Sequence, residues 1–274
     1  MMTEDGNAEA NDRTEQDLDA DGNLATALDF AHEFRELLRR AISAKVPPPR
    51  FASSEGVLNV TIQFLTAAIH GSFVAIVLLC REGWGVEAGV LLRQLQEGVV
   101  NARAMKRNRS VLFLFVEAFE RRSERARTAS SPSQIPDDML PTTILGIPAK
   151  SDEVAWYQSG KSNGKRRRWK DLSMETRVRL ADLDTSVWYR VYRDLCDIAH
   201  VGPGGMHAYL HEHDWGTLWF GRDRKRAVKN LGSACGLLIL HLGTLDGIFS
   251  LGMWHEIEEL GRRMLKSMKD ERTA

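Results

Sequence analysis

Cysteine is scarce in this chain of 274 residues, and its three copies, Cys80, Cys196 and Cys235, lie far apart in largely apolar surroundings. An odd count with no C-x-x-C pair argues against a disulfide framework or a thiolate zinc site. It leaves small packed thiols in a reducing compartment, and a cytoplasmic location is the expectation. Familiar catalytic signatures are missing too. There is no H-E-x-x-H zinc motif and no dinucleotide-binding G-x-G-x-x-G. Ser159-Gly160-Lys161-Ser162 matches only the tail of a phosphate loop, because the upstream glycine that such a loop needs is absent. No cofactor and no metal are therefore expected. The acidic N-terminus has no apolar h-region, so no signal peptide is expected either.

Net charge is also lacking, but only as a sum. Residues 1–22 carry eight acids (Glu4, Asp5, Glu9, Asp12, Glu15, Asp17, Asp19, Asp21) against one base, Arg13, which makes that segment −7 and the remainder +7. A stretch so polar, with almost no large apolar residues, cannot offset its ordering entropy, so 1–22 is expected to be a disordered acidic tail. The folded remainder is basic, which permits a nucleic acid as partner. Hydrophobic residues make up 43% and charged residues 27% of the chain, enough for one large buried core.

Two apolar stretches, Ile62–Cys80 and Leu231–Trp254, approach the length of a bilayer span. The first contains Gln63 and His70; the second contains Ser233, His241, Thr244 and Asp246. Ionisable groups are costly in lipid, whereas helices apolar on most sides suit the middle of a bundle. Both are expected to be core helices, with no membrane contact.

Periodicity reads as helix after helix. Leu24, Ala27, Leu28, Ala31, Phe34, Leu37, Leu38, Ala41 and Ile42 recur at three- and four-residue spacing until Pro47-Pro48-Pro49 stops them. A second helix is predicted from about Ser54 to Arg81, ended by Gly83-Trp84-Gly85, and a third from Val86 to Lys106. Asn108 marks the boundary of a fourth. Residues 129–150, with four prolines, read as an irregular connection, and 157–170 as a basic segment. Thr185 is placed to cap a helix that runs through Trp188, Val191 and Leu195 to His200, where Gly202-Pro203-Gly204-Gly205 stops it. A small β-hairpin is predicted near 206–220, and helices at about Arg222–Leu251 and His255–Lys269 close the chain. The fold class is all-α, a multi-helix bundle with residues 23–270 as one helical domain.

The chemistry concentrates on the helix ending at His200. Arg193 and His200 are seven residues apart, so at about 100° per residue they return to within roughly 20° of each other. Asp197 shares that face. Guanidinium and imidazole together can bind a phosphate and move a proton near neutral pH. Two readings stand: a phosphate site, or an Arg193–Asp197 bridge with His200 at the helix C-terminus, where the dipole favours a cation. On the third helix Arg93 and Glu97 are four apart and Asn101 continues their line; Val90, Leu91, Leu95 and Val99 flank them. A pair in such surroundings is partly buried and needs partners, which the Arg193 helix, with Tyr192, can supply.

The R-x6-H spacing, with polar Asp194 directly after the arginine and near the end of a helix in an all-α domain, resembles the HEPN superfamily signature. That resemblance implies a metal-independent endoribonuclease, often a toxin or an RNA-targeting effector of bacterial stress or antiphage defence. It implies Arg193 as phosphate ligand, His200 as acid/base and Asp194 as support, with two copies meeting in a homodimer. A second likeness is to an uncharacterised bacterial family of helical proteins. It rests on Leu91-Leu92-Arg93-Gln94-Leu95-Gln96-Glu97, on Tyr192–His200 and on the glycine-rich loop that follows.

Two further groups complete the inventory. His207, His211 and His213 cannot all be presented by one regular element, so they read as solvated histidines, with His207 able to support the site beside the glycine-rich loop. The run Lys165-Arg166-Arg167-Arg168-Trp169-Lys170 can follow an RNA backbone and stack a base, or be a solvated loop. The expectation is an RNA-binding or RNA-cleaving protein, acting as a homodimer or with a defence-system protein. The alternative is a non-catalytic interaction or regulatory module in which Arg193, Asp197 and His200 form a structural polar core.

Overall fold

The computed structural model describes residues 15–44, 54–127, 143–144, 147–148, 168–199 and 222–270. They form an all-α bundle. Its helices are α1 (Glu15–Ser43), α2 (Ser54–Arg81), α3 (Gly85–Arg107), α4 (Arg109–Arg127), α5 (Met174–Leu180), α6 (Thr185–Ala199), α7 (Arg224–Phe249) and α8 (Trp254–Asp270), with a 3-10 turn at Trp169–Asp171.

Helix α3 is packed between α2 and α7 on one side and α5 and α6 on the other, and α7 in turn carries α1 and α8. The apolar stripes explain this arrangement. Phe34 and Leu38 of α1, Ile62, Ile69 and Phe73 of α2, Leu95 and Val99 of α3, Leu231, Leu238 and Leu242 of α7 and Ile257 of α8 are all buried in one core. Truncating any of the larger ones to alanine costs roughly 2–5 kcal/mol.

Both long apolar stretches are helices of this bundle, and by length and composition alone either could cross a membrane. In their most apolar windows 39% of α2 and 50% of α7 is buried inside the protein. Helix α2 keeps a partly apolar outer side, where Phe64 is 60% and Leu78 47% exposed.

The turn between α2 and α3 shows why glycine stands where it does. Gly83 has φ +82, in the left-handed region open to glycine, and its carbonyl accepts from the Asp223 amide at 2.8 Å. A Cβ on Gly85 would sit 2.6 Å from the Asp223 carbonyl oxygen and 2.7 Å from the Ala227 nitrogen. Asn230 then donates to the Gly85 carbonyl at 2.6 Å. This turn is thereby pinned to the start of α7.

Several expectations shift. The first helix begins at Glu15, so residues 15–22 of the expected acidic tail are helical. Residues 1–14 lie outside the described residues. Helix α6 is capped by Asp184 rather than Thr185: the Asp184 carboxylate accepts from the Ser186 amide at 2.9 Å and from its hydroxyl at 2.7 Å. The short helix α5 has no counterpart in the periodicity, yet Ser173 caps it through the Thr176 amide at 3.1 Å. Inside the expected irregular connection, Thr143–Ile144 and Ile147–Pro148 pair antiparallel, the outcome of two short β-prone segments a hairpin's distance apart. The hairpin expected at 206–220 lies outside the described residues.

Candidate functional site

Helix α3 turns a polar seam toward α5 and α6. At its upper end the Arg93 guanidinium donates to the Tyr192 hydroxyl at 3.0 Å, that hydroxyl donates to Glu97 Oε1 at 2.8 Å, and Arg93 meets the same oxygen at 2.9 Å. The guanidinium also lies 5.3 Å from the centre of the Tyr192 ring, which stacks on Tyr189 at 6.4 Å. One turn on, the Gln96 amide donates to the Trp188 carbonyl at 2.8 Å. Arg177 of α5 donates to Asn101 at 3.1 Å and to the Leu172 carbonyl at 3.2 Å. Arg103 donates to the Ala181 carbonyl at 2.9 Å, and Arg107 pairs with Asp182 at 2.7 Å. Asp182 itself sits in the left-handed region at φ +56, where it ends α5.

Electrostatics follow from burial. Burial pushes the Tyr192 phenol up to about 12, with help from Glu97 and the neighbouring Cys196 thiol, while the Arg93 hydrogen bond acts the other way. Burial also acts to lower Arg93, but the Tyr192 hydroxyl and the Glu97 carboxylate outweigh it and the guanidinium is held above its usual range. Burial lowers Arg177, against the pull of Glu97 and Tyr192. A phenol this weak an acid does not exchange protons near neutral pH, and Arg93 is already paired. The seam therefore fastens α6 to α3, with Arg93 Nε and Gln96 Oε1 buried and without a partner among the described residues.

The opposite face of α6 is different. Arg193, Asp194 and Asp197 are exposed there, in one outward sector with Ser186, Arg190, Val187 and Val191. Among the described residues Arg193 has no ion-pair or hydrogen-bond partner, so the expected Arg193–Asp197 bridge does not form. The reading of these residues as a structural polar core is corrected on this point. The polar network inside the protein is Arg93–Glu97–Tyr192, and the stripe that includes Arg193 and Asp197 faces out. The physical reason is α6's amphipathicity: Tyr192 and Leu195 turn inward, which forces Arg193, Asp194 and Asp197 outward. His200, the residue after the last of α6, lies outside the described residues, as do His207, His211 and His213.

Of the basic run, Lys165, Arg166 and Arg167 lie outside the described residues. Arg168 approaches Asp171 at 3.7 Å. Trp169, expected to stack a base, packs instead into the protein: its ring meets Phe115 edge-on at 5.1 Å and lies beneath the Arg177 guanidinium at 4.9 Å. An indole buries apolar area when a neighbouring helix offers it, and α4 does. Among the described residues no group of three or more His, Cys, Asp or Glu side chains could hold a metal ion. The cysteines are free, and burial pushes Cys80 and Cys235 up to about 12, which removes thiolate reactivity.

The line Arg93–Glu97–Asn101 was legible from its spacing. Gln96, Arg103, Arg107 and Arg177 were not singled out, because their partners are carbonyls and side chains that only the packing of α5 and α6 brings near. Comparison with known proteins adds one assignment. No curated protein and no solved structure matches the chain. Residues 59–217, which hold α3, α5, α6 and the whole polar seam, match a family of unknown function (DUF5677), and the chain belongs to that family.

Proposed function

We propose that the outward face of α6 is the working face of a HEPN-like, metal-independent endoribonuclease. Arg193 carries this reading: an exposed guanidinium, without a partner among the described residues, on a helix whose other face is fastened to α3 by Tyr192. A cation held on a rigid element and left unpaired is suited to a phosphate diester.

The chemistry is a transesterification. The RNA 2′-hydroxyl gives its proton to a neutral imidazole, its oxygen bonds to the adjacent phosphorus, and the bond from phosphorus to the 5′-oxygen breaks. The departing oxygen takes a proton from an imidazolium, leaving a 2′,3′-cyclic phosphate and a 5′-hydroxyl. His200 is the acid/base. Two protonation states are needed at once, and a homodimer that brings two copies of His200 together supplies both. Arg193 offsets the charge that builds on the phosphate oxygens, and Asp194 supports it. Val187 and Val191, exposed beyond Asp194 on the same sector, give the second copy an apolar contact. Stress response or antiphage defence in the cytoplasm is the setting this activity suits.

Single-stranded and structured RNA incubated with the full chain in EDTA tests the reading. Cleavage to cyclic-phosphate ends, lost in Arg193→Ala and in His200→Ala at unchanged melting temperature, supports it. No cleavage by the wild type, or cleavage indifferent to both substitutions, overturns it in favour of an interaction module.

A further inference from the structure

We propose that Arg190 is a second phosphate ligand on α6. It holds the phosphodiester one nucleotide away from the one that Arg193 holds, so the substrate is an RNA strand with at least two consecutive phosphates. The inference rests on the reading of Arg193 as a phosphate ligand and adds a subsite to it.

Arg190 and Arg193 are both exposed, and neither has a partner among the described residues. At about 100° and 1.5 Å per residue, they stand about 60° apart around the helix and about 4.5 Å apart along its axis. Side chains that leave the helix at that angle diverge, so they suit two neighbouring phosphates rather than one. Val187 and Val191 lie about 60° and 100° beyond Arg190, on the other edge of the sector. The cationic edge is therefore distinct from the apolar one.

Helix stability does not account for Arg190. Three residues on stands a like charge, Arg193, which disfavours the helix. Four residues back, the Ser186 hydroxyl donates to Asp184 at 2.7 Å. Four residues on stands Asp194, but an arginine that precedes its acid is the weaker order for such a pair, and no ion pair joins them. The backbone beneath Arg190 is nevertheless held on both sides. Gln96 donates to the Trp188 carbonyl at 2.8 Å, and the Tyr192 hydroxyl joins Arg93 and Glu97 at 3.0 and 2.8 Å. Unpaired guanidiniums at a fixed separation are suited to successive phosphates of one strand.

Two measurements on the full chain test the proposal. Cleavage of a dinucleoside monophosphate, with its single phosphate, is compared with cleavage of trinucleotides extended on the 5′ or the 3′ side. One extension is expected to raise kcat/KM about tenfold, the worth of one charged hydrogen bond, and Arg190→Gln to erase that gain. Binding of a fluorescein-labelled 2′-O-methyl RNA dodecamer, which lacks the attacking hydroxyl, is followed by anisotropy at several salt concentrations. Arg190→Gln and Arg193→Gln are each expected to lower the salt slope by about 0.7, and Arg190→Lys to retain it, at unchanged melting temperature. Binding without cleavage, with both slopes lowered, supports the two-phosphate site and overturns the nuclease reading alone. Cleavage that gains nothing from either extension, that gains equally in Arg190→Gln, or a salt slope indifferent to Arg190→Gln overturns the role of Arg190 and leaves the nuclease reading standing. Neither binding nor cleavage by the wild type overturns both.

Discussion

Replacing Tyr192 with phenylalanine removes one oxygen from the junction between α3 and α6 and leaves the ring in place. That oxygen accepts from Arg93 at 3.0 Å and donates to Glu97 at 2.8 Å. Each bond has a charged partner, a class worth roughly 1.5–3 kcal/mol. Two features lower the net loss. The Arg93 and Glu97 side chains are 25% and 32% exposed, so water replaces part of what is lost, and they remain paired at 2.9 Å without the hydroxyl. About 1 kcal/mol per bond is then reasonable, or about 2 kcal/mol in all. For a chain of this size that lowers the melting temperature by about 4–8 °C. Glu97→Gln acts on the same oxygen, so the double variant should fall short of the summed single effects by at least about 0.5 kcal/mol. Urea and thermal unfolding of the four proteins measure both quantities. A shift under about 1 °C for Tyr192→Phe, or strict additivity, refutes the claim that this hydroxyl fastens α6.

The other consequences concern acid and glycine. His241 is fully buried; its Nε2 hydrogen donates to Thr66 Oγ1 at 3.0 Å, the Thr66 hydroxyl in turn donating to the Ile62 carbonyl, and its Nδ1 has no partner among the described residues. Burial drives its pKa from 6.5 down to about 3. Below pH 6.5 the unfolded chain takes up a proton that the folded chain refuses until about pH 3, so stability falls with falling pH across that window. The loss between pH 7 and pH 4.5 is about 3 kcal/mol. His241→Leu should cost less than about 1.5 kcal/mol at pH 7 and remove most of that acid dependence; urea midpoints at the two pH values decide, and an unchanged slope against pH refutes it. Two glycine substitutions should have opposite signs. Gly85→Ala drives a methyl into backbone atoms 2.6 and 2.7 Å away and should cost about 2–3 kcal/mol. Gly71→Ala, mid-helix with nothing within 4 Å of the new methyl, should gain about 0.5–1 kcal/mol. Melting curves that move the same way for both would sink the packing argument.

Helix content was legible because it depends on local order. Apolar spacing, the Gly83-Trp84-Gly85 break and the Asn108 boundary are properties of neighbouring residues, and the structure places the ends of α2, α3, α7 and α8 within a residue or two of them, whereas α1 starts well before Leu24, the first residue of its apolar pattern. Asn108 shows the mechanism: its amide closes α3 on Ala104 at 2.8 Å, while its side chain accepts from the Ser110 amide at 3.0 Å to open α4. The Arg93–Glu97 pair was legible for the same reason, being set by a four-residue period. Helix α5, with seven residues, was too short for any period to declare itself.

What the sequence by itself determined is the set of long helices and the residues that share each face, Arg193 and Asp197 among them. Tertiary structure decided which way each face looks. Tyr192 and Arg193 are adjacent in the chain, and spacing alone allows either to meet α3. The bundle turned Tyr192 inward, where Glu97 and Arg93 can satisfy a buried hydroxyl, and so turned Arg193 outward. It likewise took Trp169 from a basic run and packed it against Phe115. Both choices have one cause. Burying apolar area and pairing buried polar atoms are properties of the whole packed chain, and no local pattern fixes them.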